Sequence, residues 1–193
     1  VNREIPLTQV RPGDIILCKS GGLLATTLGT LIAVFDSDWR HLKWKPWHVR
    51  FVSRYYGTSS IVCESTADGI QENPLTSIPL ERQKAYRWFD HTLDIDWLDD
   101  WVQAHLGLPY DVMVYPWTAI QYLARAVWNR RIPRLLDDRY TCWENVAEMA
   151  EDACKPLHSK RDCPMITDLC RALGILPIGY ITTTKLSVVR ERH

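Results

Sequence analysis

Apolar and polar positions change their period several times along this chain of 193 residues. A turn signal at Arg11, Pro12, Gly13 and Asp14 precedes the continuous apolar run Ile15, Ile16, Leu17 and Cys18, which reads as a short strand. From Ser20 to Phe35 no charged residue occurs. That run is shorter than the roughly 20 apolar residues a membrane helix needs. It also carries Thr26, Thr27 and Thr30, and so reads as a buried or lid-like helix near residues 23–35. A Trp-rich loop leads into WHVRFVSRYY at 47–56, whose β-branched and aromatic residues suit a strand. Residues 57–60 separate it from IVCES at 61–65, the pattern of a hairpin, and a further strand or two is expected between Gly69 and Phe89.

The second half of the chain turns helical. Residues 94–106 start acidic and close at Gly107, and residues 110–131 are apolar-periodic apart from the interruption at Pro116. In RYTCWENVAEMAEDAC, residues 139–154, Thr141 followed three positions later by Glu144 forms a capping box. Trp143, Val146, Ala147, Ala150 and Cys154 then recur at helical spacing. Strands in the first half and helices in the second give an α+β class, and the length fits a single domain over 1–193.

Composition narrows the function classes. Lys and Arg total 23, as do Asp and Glu. No net field concentrates nucleic acid or an anionic membrane, so a nucleic-acid partner is not expected. Nine Trp stand against three Phe and three Met, clustered at Trp39, Trp44 and Trp47 and again at Trp88, Trp97 and Trp101. Indoles at that density fill cores and also line clefts. The chain opens at Val1 with neither an initiator Met nor a basic-then-apolar leader, which reads as a trimmed or processed product. No compartment is assigned; cytoplasmic and particle-associated settings both fit.

Among the six cysteines no CxxC occurs, and the spacing of Cys154, His158, Cys163 and Cys170 is irregular for zinc. Solitary buried thiols are the better reading. Cys142 differs, because the capping box places it at the first helical position. A thiol there faces unsatisfied backbone N–H groups and the positive end of the helix dipole, which favour its anion. That is a fitting place for a nucleophile, although such caps are also common structural devices. A base is offered by His48, which shares a strand face with Arg50 and Val52. In the next strand Glu64 shares a face with Val62. If the hairpin turns His48 and Glu64 the same way, the carboxylate can orient the imidazole in a Cys-His-acid arrangement. A rim histidine and an exposed strand glutamate are the plain alternatives.

Taken in order, the RPGD turn and apolar strand, the apolar helix, the segment with His48-Val49, the strand with Glu64-Ser65, Asp68-Gly69-Ile70 with a downstream Pro-Leu, LGLPYD, TCWENV and PMITDL resemble one family. It is the permuted papain-like amidases and peptidases of the NlpC superfamily, YiiX type, relatives of the lecithin retinol acyltransferase group. The resemblance covers residues 9–170. In that group the histidine strand precedes the cysteine helix, as His48 precedes Cys142 here. It implies a circularly permuted papain-like fold, a small antiparallel sheet packed against helices, with Cys142 as nucleophile, His48 as general base and Glu64 as the third polar residue. Tyr110 and Asp111 match the family's PYD segment, which implies proximity to the cleft.

Two positions depart from the pattern. Arg50 stands where the family usually has glycine, and Trp143 where it often has a small residue, so both are expected to shape the substrate pocket. Arg50 is expected to project beside His48 and either hold an anionic group of the substrate or pair with one of the chain's own acids. The activity implied is hydrolysis of an amide bond, in a peptidoglycan-type peptide or an N-acyl amino-acid or lipid conjugate, through a thioester. It needs no metal or organic cofactor. An acyltransferase or lipid esterase on the same scaffold, with the apolar helix as a lipid-facing rim, and a non-catalytic binding or structural protein are the alternatives.

Overall fold

In the computed structural model the described residues are 3–19, 44, 46–56, 59–90, 93–110, 141–153, 169–170 and 172–175. The expected helices near 23–35 and 110–131, Asp111, and the Cys154, His158 and Cys163 part of the cysteine cluster lie outside them.

The architecture is α+β. Strands β1 (Glu4–Ile5), β2 (Ile15–Lys19), β3 (Pro46–Tyr56), β4 (Ser59–Thr66), β5 (Gly69–Pro74) and β6 (Gln83–Tyr86) form one antiparallel sheet in the order β1-β6-β2-β3-β4-β5. Helices α1 (Ile95–His105) and α2 (Cys142–Asp152) follow among the described residues. Between Gly69 and Phe89, where a strand or two is expected, lie β5 and β6; β1, only two residues long, had no sequence signal.

Local chemistry explains the turns. Gly13 has φ 87° between Pro12 and Asp14, and the Asp14 N–H donates to Arg11 O at 3.0 Å. At Gly69, φ 100°, a Cβ would stand 2.7 Å from the Leu108 carbonyl oxygen, so only glycine lets the chain beyond α1 close against β5. That contact is pinned by Ile70 N–H to Leu108 O, 2.9 Å, and Gly107 N–H to Ile70 O, 2.8 Å. Asp94 caps α1 by accepting from the Asp96 and Trp97 N–H groups.

Alternation along the strands divides the interior in two. Ile15, Leu17, Val49, Phe51, Cys63, Ile70 and Tyr86 face the helices, packing with Leu98, Trp101 and Val102 of α1 and Cys142, Trp143, Val146, Met149 and Ala150 of α2. Ile16, Cys18, Val52, Val62 and Ala85 lie on the opposite face, covered by Val10, Leu75 and the partly buried Ile5, Leu7 and Ile78. Short 3-10 turns, Leu7–Gln9 and Leu75–Ser77, carry part of that cover. Among the described residues no helix is long and apolar enough to cross a membrane.

Candidate active site

The capping box forms as the sequence predicts. Thr141 Oγ1 accepts from the Glu144 N–H, and a Glu144 carboxylate oxygen accepts from the Thr141 N–H at 2.9 Å and from its hydroxyl at 2.8 Å. These bonds fix the start of α2 and put Cys142 in its first turn with 1 % of its surface exposed. The Cys142 thiol is free of any disulfide.

The register of the sheet brings the other two residues together. Residue pairs Cys18–His48 and Ile16–Arg50 between β2 and β3 put His48 and Arg50 on the face away from the helices, the face Glu64 shares with Val62 on β4. His48 Nε2 and Glu64 Oε2 are 2.5 Å apart, both side chains nearly closed to solvent. Cys142 acts on the same ring as both a neighbouring charge and a hydrogen-bond partner. The thiol comes from the helix side and the carboxylate from the other face. His48, near the start of β3, joins them. The Trp47 ring flanks the imidazole at 5.4 Å between centroids.

Electrostatics follow from this line of groups. Burial, the largest influence on His48, pulls the imidazole toward its neutral form. Cys142 and then Glu64 outweigh it, and the pKa is pushed up to about 9. Burial likewise raises the Glu64 carboxyl, but His48, Arg50 and Asn73 together hold it below the usual carboxylate value. Burial pushes the thiols of Cys18 and Cys63 up to about 12.

Two sequence expectations need correction. Arg50 does project from the face of His48, but its side chain is completely buried and its fork is occupied by Ser77 Oγ, the Leu75 carbonyl and Gln83 Oε1 at 2.8–2.9 Å. Of the two expected roles, pairing with the chain's own acid is the one seen, with Glu64 Oε1 at 3.6 Å, and the buried Nε has no hydrogen-bond partner among the described residues. Trp143 is 3 % exposed and packs in the core between α2 and the sheet, so it anchors the helix rather than lining a pocket.

Tyr110 is half-buried at a bridge position. Asn73, whose Nδ2 donates to Glu64 Oε1 at 2.9 Å, and Gln83 escaped the sequence reading. The register of β5 and β6 would have been needed to find them. Among the described residues no three His, Cys, Asp or Glu side chains are grouped to hold a metal, and Cys170, the described member of the irregular cysteine cluster, is a buried core thiol. A scan against protein-family models and a search of curated proteins each found no match to the chain.

Proposed function

We propose that the protein is a cysteine hydrolase that cleaves an amide bond through a thioester, on a circularly permuted papain-like scaffold. One observation carries this reading: a cysteine at a helix N-terminus and a glutamate, from two other elements, both act on one buried histidine. Each neighbour supplies what the next requires.

His48 takes the Cys142 proton, and the thiolate attacks the carbonyl carbon. Backbone N–H groups at the start of α2 hold the resulting oxyanion. The imidazolium, stabilised by Glu64, returns its proton to the leaving nitrogen as the C–N bond breaks. Water then gives a proton to His48 and attacks the thioester, the C–S bond breaks, and the acid departs. The substrates implied by the resemblance are peptidoglycan-type peptides and N-acyl amino-acid or lipid conjugates.

The test is incubation with those two substrate sets, followed by mass spectrometry of the intact protein and its peptides. Product amine together with a hydroxylamine-labile acyl adduct on Cys142 is the expected result. Turnover that persists undiminished in Cys142→Ala would overturn the assignment.

A further inference from the structure

A completely buried arginine is costly unless its donors and its charge are both met. At Arg50 the Nη donors are met by neutral groups, while the buried Nε has no hydrogen-bond partner among the described residues. Nη2 donates to the Leu75 carbonyl and to Gln83 Oε1, each at 2.8 Å, and Nη1 donates to Ser77 Oγ at 2.9 Å. Gln83 is itself locked, because its Nε2 donates to the Leu75 and Ile78 carbonyls at 2.9 and 2.6 Å, which turns its oxygen toward the guanidinium. The charge is met elsewhere. Among the described residues the carboxylate paired with Arg50 is Glu64, through Nη1 and Oε1 at 3.6 Å. Oε1 also accepts from Asn73 Nδ2 at 2.9 Å, while Oε2 faces His48. One oxygen of Glu64 is therefore held from behind and the other is presented to the imidazole.

We propose that Arg50 is a positioning residue, which with Asn73 holds Oε1 of Glu64 so that Oε2 is aimed at His48 and the carboxylate stays ionised inside the protein. The role rests on the cysteine-hydrolase reading only for its consequence in catalysis; the geometry it describes belongs to the His48–Glu64 pair itself. Were Arg50 there only to fasten the 3-10 turn at Leu75–Ser77, a neutral amide could meet much of the same hydrogen-bonding need. A guanidinium adds a positive charge, and that charge is spent on Glu64. Along the line Arg50, Glu64, His48 and Cys142 the charges alternate when the thiol is ionised, so each buried ion has an opposite neighbour.

Among the described residues, His48 and Arg50 of β3 and uncharged Asn73 of β5 act on Glu64, while Cys18 on β2 and Cys63 on β4 lie within electrostatic reach as thiols that stay protonated. Burial favours the protonated carboxyl and these partners oppose it. Removing the Arg50 charge must then raise the Glu64 midpoint, and a protonated Glu64 no longer supports the imidazolium.

The experiment follows the Glu64 carboxyl carbon by NMR across pH in the wild type, Arg50→Gln, Arg50→Lys and Asn73→Leu, with the rate of Cys142 alkylation recorded on the same samples. Arg50→Gln is expected to raise the Glu64 midpoint by about one pH unit, a tenfold change in proton affinity. Arg50→Lys keeps the charge but loses the fork, and should raise it by less. Asn73→Leu, on the edge strand and outside the Arg50 anchors, should also raise it, and keeps the claim testable should Arg50→Gln not fold. The acidic limb of the alkylation profile should move with the midpoint.

An unmoved Glu64 midpoint in every variant that folds would overturn the positioning role while leaving the hydrolase reading intact. Absence of turnover in the wild type would instead count against the hydrolase reading, and the Glu64 titration would still decide the role of Arg50.

Discussion

The two faces of the sheet are equally closed to water and built by opposite rules. On the helix side, Leu17, Val49, Phe51 and Cys63 meet α1 and α2 through an almost wholly apolar layer. On the other side, apolar Ile16, Val52 and Val62 share the layer with His48, Arg50, Glu64 and Gln83, all buried. An apolar layer needs only volume and shape, and loses stability in proportion to what is removed. A buried polar layer costs stability for each donor, acceptor or charge left unmatched, and tolerates little rearrangement. The difference teaches where to look for chemistry: the helix face holds the molecule together, while the opposite face holds one carboxylate and one imidazole in a fixed relation.

That contrast is open to experiment. The largest effect is expected at the junction of the two faces. His48→Ala should lower turnover by roughly a hundredfold to ten-thousandfold, the range of a general base. Steady-state kinetics on a folded, circular-dichroism-matched sample would check this, and a change of less than tenfold would remove the histidine from the mechanism. Next comes a substitution on the helix face. Phe51→Ala should cost about 3–5 kcal/mol in denaturant unfolding, with turnover per folded molecule retained.

Glu64→Gln should be milder than the loss of His48. The amide oxygen can still accept from the ring but lacks the charge, and hydrogen bonds to charged groups contribute about 1.5–3 kcal/mol, so a decrease of roughly tenfold to hundredfold in turnover is expected. Full activity would mean that another polar residue orients the ring.

A fourth expectation uses pH. The folded-state pKa of His48 is raised to about 9. The stability it contributes is therefore fully present below the unfolded-state value of about 6.5 and is lost as pH rises through about 9. Unfolding free energy should fall across that window in the wild type and fall less in His48→Gln.

Much of this arrangement was legible in the chain before its structure. The period-2 alternation of 47–56 and 61–65 assigns His48 and Glu64 to matching faces once the hairpin pairs. The Thr141–Glu144 spacing fixes the helix start to the residue, because both halves of the capping box lie within four positions. Arg50 was not legible in the same way. Ser77, Leu75 and Gln83 stand 25 to 33 residues away in sequence, and no local pattern records that a short turn folds back over the sheet to meet them. Trp143 was misplaced for a related reason: a bulky residue beside a nucleophile suggests a pocket wall, whereas the helix turns it into the core with Val146 and Met149. Glycine in place of Arg50 would leave Glu64 without the guanidinium at 3.6 Å, so the bulk at this position serves the interior.

The central claim, that Cys142 and His48 act as one unit, is tested most directly by the rate at which a small neutral electrophile alkylates Cys142 at about pH 7 in the wild type and in His48→Ala. Peptide mass spectrometry assigns the site. The account predicts that Cys142 reacts well ahead of Cys18 and Cys63, whose thiols burial pushes up to about 12, and that His48→Ala slows it at least about tenfold, the equivalent of one pKa unit. Equal rates in the two proteins, or modification falling on the other cysteines first, would contradict it.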